Sequence, residues 1–468
     1  MTVVLDGRSL TLEEVVRVAR GGETVELAPR ALDAMRRARQ VADAVVQRDD
    51  EAYGLTTGVG VHKRARVEAK GHDRLLVNQH LIAQGPPAPA DVVRATALRL
   101  ANALAHGSTV ARPELAEHLV ARLNDDRLPE VRRLGSVGQS DLGPMADLAR
   151  GLIEDLEPER GEAIVLLNQS AFATGWAALA VRDALDLLDA LDVAGALDLE
   201  AFGCADGLID PALGELRPYP GLQATLRRLR TLVEGSERPR RNLQDPLVFR
   251  TLPGNHGAAR DAFGFVERQL AVELNTAQTN PVVTPDGRVV SLGGFEILPL
   301  ATALDLARLA LGPVLSSATE RAVKLLTAPL TGLPEGLGVR HALAESALSE
   351  LGIAIQAFAA EARLLALPVS LELVSTTQAE GIEDRTTMAP LAARRLAEMV
   401  DLGARVVAVE LVIAAQACDL RGAALGAGTE RARALVRSLA PFVGEGDPLP
   451  DFEPLVELVR SGEFGRVG

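Results

Sequence analysis

The second half of the chain contains four long, largely apolar segments, and their length constrains the fold more than any other feature. They are Ala258–Thr276, Leu298–Leu326, Arg340–Leu367 and Met388–Leu420. A helix that buries only one stripe carries more polar residues, so these segments predict helices buried in a bundle or at a subunit interface. Alanine, leucine and valine dominate the sequence, a composition that favours helices. The chain is therefore predicted to be mainly α.

Shorter signals mark the ends of other elements. Thr11-Leu12-Glu13-Glu14 is a capping box that predicts the start of a helix. Val282-Val283 and Val289-Val290 flank Pro285-Asp286-Gly287, which predicts a small β-hairpin, and little else is typical of strands. Because no linker interrupts the chain, we predict only two parts. They are an N-terminal active-site part, residues 1–190, and a part with the long-helix bundle and C-terminal helices, residues 191–468.

Composition excludes several classes of function. The net charge is −14 and no basic block is present, so the sequence disfavours binding to nucleic acid. No apolar run approaches the roughly 20 residues of a membrane span. The seven histidines show no metal-ligand spacing with cysteine or glutamate, which predicts no metal. Two cysteines and an N-terminus without a signal peptide predict a cytoplasmic protein.

The segment 135–146 is the most informative part of the chain for function. It reads Gly135-Ser136-Val137-Gly138-Gln139-Ser140-Asp141-Leu142-Gly143-Pro144-Met145-Ala146. A glycine-rich loop before a helix is the simplest interpretation, but other motifs accompany this one in a fixed order. Those motifs include Tyr53-Gly54-Leu55-Thr56-Thr57-Gly58-Val59-Gly60, Asn102-Ala103-Leu104, Arg112-Pro113-Glu114, Leu216-Arg217-Pro218-Tyr219-Pro220-Gly221, Gln244-Asp245-Pro246 with Arg250, Asn280-Pro281, Ser291-Leu292-Gly293-Gly294-Phe295, Glu320-Arg321 and Glu383-Asp384 with Met388.

Together these motifs resemble the aromatic amino-acid lyases, the family of histidine and phenylalanine ammonia-lyases, over roughly Val4 to Gly462. The resemblance implies a lyase enzyme with the fumarase/aspartase-like fold, an elongated helical bundle. It also implies a homotetramer in which each active site is built from three subunits, and a small-molecule carboxylate as substrate.

The same resemblance exposes a change at the reactive centre. The family pattern reads G-S-V-G-A-S-G-D-L-A-P-L-A, and its Ala-Ser-Gly cyclises to the electrophile methylidene-imidazolone (MIO). Here Gln139-Ser140-Asp141 follows Gly138, and the loop is one residue shorter. Asp141 carries a Cβ that resists the tight backbone turn that glycine permits. We therefore expect no MIO and no other cofactor.

Several polar residues of the family site have counterparts here. Tyr53 matches the family's base, a role that requires a pKa lowered by positive charge or hydrogen bonds. Arg250 matches the arginine that holds the substrate carboxylate, for which its planar fork is suited. Asn168 matches an asparagine that contacts the carboxylate or the loop. Glu383 is either a pocket residue or a buried partner of Arg385, and the sequence leaves both interpretations open.

Other matched positions complete the predicted site. Gln244 and Phe295 are expected to contact the substrate, and Leu247 stands where the family has a tyrosine. Ser140 and Asp141, at the predicted start of a helix, are candidates for a new donor and acid.

These changes favour one function over two alternatives. The favoured function is an MIO-independent lyase-like enzyme of specialised metabolism. It would act on an activated or α,β-unsaturated amino-acid-like carboxylate by elimination, conjugate addition or cyclisation, with Tyr53 as base and Arg250 as carboxylate anchor. One alternative is an inactive homologue that serves as a binding or scaffold protein. The other is a true ammonia-lyase or aminomutase whose MIO forms from Gln139-Ser140-Asp141.

Overall fold

A computed structural model describes residues 2–67, 71–238, 240–340, 346–371 and 378–467 of the chain. These residues are mainly α-helical, which confirms the predicted class. The helices are α1 Leu12–Ala19, α2 Pro29–Gln47, α3 His72–Gln79, α4 Ala90–Ala105, α5 Pro113–Asn124, α6 Leu142–Asp155, α7 Glu162–Leu167, α8 Ala171–Phe202, α9 Pro211–Leu216, α10 Pro220–Leu232, α11 Leu247–Arg250, α12 Leu252–Leu274, α13 Leu298–Leu325, α14 Ala328–Thr331, α15 Leu351–Leu365, α16 Ala389–Arg421, α17 Ala427–Leu439 and α18 Glu453–Arg460.

Three of the four long apolar segments form helices, namely α12, α13 and α16. The limits of α13 and α16 lie within one residue of the prediction, whereas α12 begins at Leu252, six residues before its predicted start. The fourth prediction, Arg340–Leu367, is wrong at its start, because the helix α15 begins at Leu351. Ser346 to Glu350 form turns instead, and the Leu348 N–H donates to the Gly336 carbonyl at 2.9 Å. Residues 341–345 of this segment lie outside the described residues.

Within the described residues, six short strands form three separate pairs. The strands β5 Val282–Val283 and β6 Val289–Val290 pair in antiparallel register and confirm the predicted hairpin. Two pairs were not predicted. The strands β1 Thr2–Leu5 and β2 Thr24–Leu27 are parallel, and β3 Gln84–Pro87 and β4 Arg132–Leu134 are antiparallel. Their partners lie far apart in sequence, so local patterns carry no signal for them.

The residues cluster into two compact units. The first comprises Met1–Arg182, Val266–Leu304 and Pro368–Arg394, and the second comprises Asp183–Phe265, Asp305–Leu367 and Arg395–Gly468. The functional division of the chain into residues 1–190 and 191–468 stays a prediction.

In the first unit, the core is built around α4, which is buried along most of its length. It packs against α1, whose capping box forms as predicted: the Glu14 N–H donates to Thr11 Oγ1 at 3.2 Å and the Thr11 N–H to Glu14 Oε2 at 2.9 Å. In the part of α8 that belongs to the same unit, Trp176 is 5% exposed and its ring meets Phe172 edge to face at 5.4 Å. Both α4 and this ring pair are therefore buried in the first unit.

In the second unit, three charged side chains are wholly buried together. Arg321 Nε donates to Asp198 Oδ2 at 2.8 Å, and Arg321 Nη2 donates to Glu410 Oε1 at 2.7 Å. All three side chains are 0% exposed. Both cysteines, Cys204 and Cys418, are free and buried in this unit.

Two helical stretches, Glu162–Phe202 and Leu298–Leu325, are long and apolar enough to cross a membrane by length and composition alone. The apolar window of the first is entirely buried inside the protein and that of the second is 61% buried, as is common for core helices. Across the described ranges, no group of three or more His, Cys, Asp or Glu side chains is placed to hold a metal ion.

Candidate active site

A cavity of about 1050 Å³ lies in the first unit. Its wall comes from the loop at 53–67, from α3 and His80, from the region between Gln139 and Asn168, from 280–295 and from 379–383. The residues that line it are Tyr53, Gly58, Val59, Gly60, Val61, His62, Lys63, Ala65, Arg66, Val67, His72, Leu75, Leu76, Gln79, His80, Gln139, Leu142, Ile164, Asn168, Asn280, Ser291, Leu292, Gly293, Phe295, Ala379, Ile382 and Glu383.

Tyr53 lies on the wall of this cavity, half-buried in its glycine-rich loop. Its hydroxyl oxygen accepts the Gly60 N–H at 3.1 Å. Burial raises the pKa of Tyr53, the hydrogen bond from Gly60 lowers it, and the charge of Glu383 raises it, so that the net direction is upward. The lowered pKa that a base role requires is therefore not found in this environment. The phenol form of Tyr53 is favoured at neutral pH.

The loop at 135–146 is held by the segment that begins α16. Thr387 Oγ1 donates to the Gly138 carbonyl at 3.1 Å, and the Met388 N–H donates to the Val137 carbonyl at 3.0 Å. Gly138 has φ 80°, and a Cβ on it would lie 2.2 Å from Thr387 Oγ1. Glycine is therefore needed here both for its backbone angle and for the close approach.

Ser140 and Asp141 are buried within the first unit and belong to the loop rather than to the cavity wall. Ser140 has φ 61°, is 2% exposed and donates its hydroxyl to Asn168 Oδ1. The Asp141 N–H donates to the Gln169 carbonyl at 2.7 Å, and Asp141 Oδ2 accepts the Ala173 N–H at 2.7 Å. Both the backbone and the side chain of Asp141 are therefore committed to structural hydrogen bonds.

Burial is the main influence on the carboxyl group of Asp141. It raises the pKa of Asp141 to about 7, while hydrogen bonds from the Ala173 backbone, the Ser136 side chain and the Phe172 backbone act in the opposite direction. Ser136 Oγ donates to Asp141 Oδ1 at 3.2 Å. The carboxyl group thus has partners on both oxygens.

Asn168 and Phe295, two of the predicted substrate contacts, lie on the cavity wall. Asn168 Nδ2 donates to the Asn280 carbonyl at 2.9 Å, and its Oδ1 accepts from Ser140. The Phe295 carbonyl accepts from Ser170 Oγ at 2.6 Å, which fixes the backbone beside the ring. Asn168 therefore joins the altered loop to the cavity wall.

Glu383 also lies on the wall. Burial raises the pKa of Glu383, and the negative charge of Asp384 raises it further. This place on the wall suits a pocket residue, and the choice between that role and pairing with Arg385 stays a prediction.

Gln244, Leu247 and Arg250 belong to the second unit and are described there alone. Leu247 begins α11 and is 61% exposed. Arg250 ends this helix, and its Nε donates to the Asp245 carbonyl at 2.9 Å. The cavity of the first unit thus brings together Tyr53, Asn168, Phe295 and Glu383, and the roles of all nine predicted residues stay predictions.

Several polar groups on the wall were not predicted, among them Gln139, His80 and Lys63. Gln139 lies on the wall beside the buried Ser140. The sequence indicated this position only through the large side chain of Gln139 in the altered loop. His80 follows α3, in a stretch whose alignment with the family is ambiguous. Lys63 pairs with Glu380 at 2.6 Å, a contact between residues far apart in sequence that no local pattern indicates.

Comparison with known proteins places this geometry in a family. The family model for aromatic amino acid lyases matches residues 10–157 and 148–438. A histidine ammonia-lyase of Streptococcus gordonii is 32% identical over 496 residues, which covers 98% of this chain and 96% of that protein.

Solved structures give the same result for the fold. Ergothionase from Treponema denticola, described as an ergothioneine degrading enzyme, has a TM-score of 0.92 at 25% identity and covers 99% of each chain. The tyrosine aminomutase from Streptomyces globisporus also has a TM-score of 0.92 at 25% identity, and the match covers 100% of this chain and 98% of that one.

Matches over nearly the whole length define an enzyme of the lyase class, as predicted. The chain belongs to the aromatic amino acid lyase family. Its helical fold is that of the ammonia-lyases and aminomutases, which confirms the predicted fold class. Members of this family normally use MIO, which forms autocatalytically from the polypeptide.

Proposed function

We propose that this chain is an MIO-independent lyase that eliminates a leaving group from an activated, amino-acid-like carboxylate. The observation that carries this proposal is the hydrogen bonding of the loop Gln139-Ser140-Asp141. To form MIO, the amide nitrogen after the serine attacks the carbonyl carbon before it. Here that nitrogen belongs to Asp141, and its N–H donates to the Gln169 carbonyl at 2.7 Å.

Two further features of the loop speak against ring closure. Asp141 directly follows Ser140, where the family has a glycine whose small size permits the fold-back, and its buried carboxyl group is held on both oxygens. Ser140 donates its hydroxyl to Asn168, so this oxygen already has a partner. These residues do not fit the MIO group, and no step of the proposed reaction uses it.

The lack of an electrophile restricts the substrate. An unactivated amino acid holds its β-proton firmly, so the substrate must bring a better leaving group or a more acidic C–H bond. A base and a site that stabilises negative charge are then sufficient for elimination, or for the related conjugate addition or cyclisation. The existence of a structural relative described as degrading ergothioneine supports a wider range of substrates on this fold.

Proposed roles follow from where the residues lie. Tyr53 transfers a proton in the cavity, with Glu383 beside it, and Asn168 and Phe295 contact the substrate. Ser140 and Asp141 position the loop through their buried hydrogen bonds.

The residues of the second unit require a further proposal. Gln244, Leu247 and Arg250 act at the site through a homotetramer with shared active sites, as the family resemblance implies. We also propose that this tetramer is a cytoplasmic enzyme of specialised metabolism, in keeping with two free cysteines.

The intact mass of the purified protein tests the proposal directly. We expect the mass of the unmodified polypeptide and no change in the near-ultraviolet spectrum after borohydride treatment. A mass lower by two waters, with a chromophore that borohydride removes, would show that MIO forms. The relatives named histidine ammonia-lyase favour that alternative, and ammonia release from aromatic amino acids would then be the assay to pursue.

Replacing Arg250 with Ala tests the carboxylate anchor. We expect the dissociation constant of an α,β-unsaturated carboxylate such as trans-cinnamate to rise on the order of 10- to 100-fold, because a hydrogen bond to a charged group is lost. Calorimetry would measure binding, and the thermal midpoint would show an intact fold. Arg240→Ala is the matched control, since Arg240 Nε also donates to a backbone carbonyl, that of Asn242, at 2.9 Å. Equal binding by both variants would refute the anchor role.

A further inference from the structure

Three histidines, His62, His72 and His80, line the cavity described above. Of these three, His80 has a side-chain hydrogen bond to a backbone carbonyl, which determines its tautomer. It caps the C-terminus of α3, where its backbone N–H donates to the Val77 carbonyl at 3.1 Å. Its position on the cavity wall is thereby tied to the helix rather than to a free loop.

The tautomer of His80 follows from its side-chain partner. His80 Nδ1 lies 2.8 Å from the Leu76 carbonyl oxygen. A carbonyl oxygen can only accept, so Nδ1 must carry the hydrogen. In the neutral imidazole the proton is then absent from Nε2, which presents a lone pair. A histidine held in this way by a backbone carbonyl is arranged to accept a proton at Nε2.

We infer that His80 is the proton acceptor of the proposed elimination and takes the substrate's β-proton at Nε2. This inference rests on the proposed function and adds the residue that starts the reaction. The Cβ–H bond breaks and its proton bonds to His80 Nε2. The electron pair of that bond forms the Cα=Cβ double bond, and the bond from Cα to the leaving group breaks with its pair on the leaving group.

The leaving group then requires a proton, and Tyr53 on the same wall supplies it. Burial and the charge of Glu383 raise the pKa of Tyr53, so that it remains a phenol at neutral pH and has a proton to give. The roles are thus divided between two groups: a neutral imidazole accepts and a phenol donates.

Other titratable groups lie around His80 and are part of the test. Those on the cavity wall and on α6 and α7, which pack against α3, are Tyr53, His62, Lys63, Arg66, His72, Glu383, Asp147, Arg150, Glu154, Asp155 and Glu162. Among these, Glu383 is the competing proton acceptor, because it is a carboxylate on the same wall.

Diethyl pyrocarbonate provides a test that does not depend on turnover, since it acylates the unprotonated nitrogen of neutral imidazole. We expect peptide mapping of the native protein to show His80 modified, faster as pH rises, and protected by trans-cinnamate. His256 is the internal control. It is 0% exposed and its Nδ1 lies 2.7 Å from Asp192 Oδ1, so it should react only after unfolding. Failure of His80 to react in the native protein would overturn the inference.

His80→Asn is the matched variant for the kinetic test. The asparagine Nδ2 can still donate to the Leu76 carbonyl, so the end of α3 should keep its structure, while the acceptor at Nε2 is lost. We expect kcat/KM on an activated carboxylate to fall on the order of 10²- to 10⁴-fold and its decline at acidic pH to disappear. Glu383→Gln should retain that acidic decline.

The possible results separate this inference from the proposed function. If the acidic decline persists in His80→Asn and is lost in Glu383→Gln, then Glu383 is the acceptor and the inference fails while the proposed function stands. If no activated carboxylate turns over in the wild type, the proposed function fails and the role of His80 fails with it. In that case the modification experiment still reports whether Nε2 is free.

Discussion

Replacing Tyr53 with Phe is expected to lower turnover on the order of 10²- to 10⁴-fold, the usual contribution of a positioned acid or base. The fold should survive, because the hydroxyl makes one hydrogen bond, with the Gly60 N–H at 3.1 Å, and its loss costs on the order of 1 kcal/mol. Steady-state kinetics, size-exclusion chromatography and the thermal midpoint together measure these effects.

The chain supplies its own control for this experiment. It has only two tyrosines, and the other, Tyr219, is 55% exposed with the Arg217 guanidinium 5.6 Å from its ring centroid. Tyr219→Phe should therefore leave turnover unchanged. Normal activity in Tyr53→Phe would remove Tyr53 from the reaction. Because the pKa of Tyr53 is raised, loss of wild-type activity through its ionisation should occur only at strongly alkaline pH.

Replacing Arg321 with Met is expected to destabilise the protein by about 3–5 kcal/mol, because the buried charge of Glu410 loses its cation and Asp198 loses its hydrogen-bond donor. Arg321 binds Asp198 at 2.8 Å and Glu410 at 2.7 Å, and none of the three is exposed. Chemical denaturation would measure the free energy of unfolding.

Lys324→Met is the control on the same helix. Its partner Glu320, at 2.7 Å, is 62% exposed, so the loss should be only about 0–1 kcal/mol. A similar small loss for Arg321→Met would show that the buried cluster does not stabilise the fold.

The same cluster predicts a dependence of stability on pH. Burial and the charge of Glu410 raise the pKa of Asp198 well above its usual value. The folded state therefore keeps a proton that the unfolded chain releases near pH 4. This contribution to stability is complete below that pH and is lost as pH rises through the folded pKa. Asp198→Asn should flatten this part of the curve, and an unchanged slope would contradict the assignment.

The presence of the long helices could be predicted from the sequence, because a buried helix is apolar over many consecutive residues. The apolar segments that became α13 and α16 show this, and the capping box at Thr11 marks a start within one turn. The start of α15 could not be predicted, because Ser346 to Glu350 satisfy their backbone groups in turns with a preceding segment. Parallel pairing of β1 with β2 also depends on tertiary contacts.

For the site, the sequence indicated which residues lie on the cavity better than it indicated their pKa values. Motif matches indicated Tyr53 and Asn168, which both lie on one cavity. The raised pKa of Tyr53 could not be predicted, because it depends on burial and on Glu383, which is 330 residues away in sequence. The role inferred for His80 depends on a backbone carbonyl that sequence patterns do not reveal.

The packing of α8 gives this protein a fluorescent reporter in a useful place. Trp176 is the only tryptophan in the chain, so its emission comes from a single buried position in the first unit. Its neighbour Phe172 precedes Ala173, whose N–H holds the Asp141 carboxyl group. The emission of Trp176 therefore reports the packing around the altered loop. Far-ultraviolet circular dichroism reports the helix content of both units. Coincident transitions by the two signals would indicate that the units unfold together, and separate transitions would resolve the first unit alone.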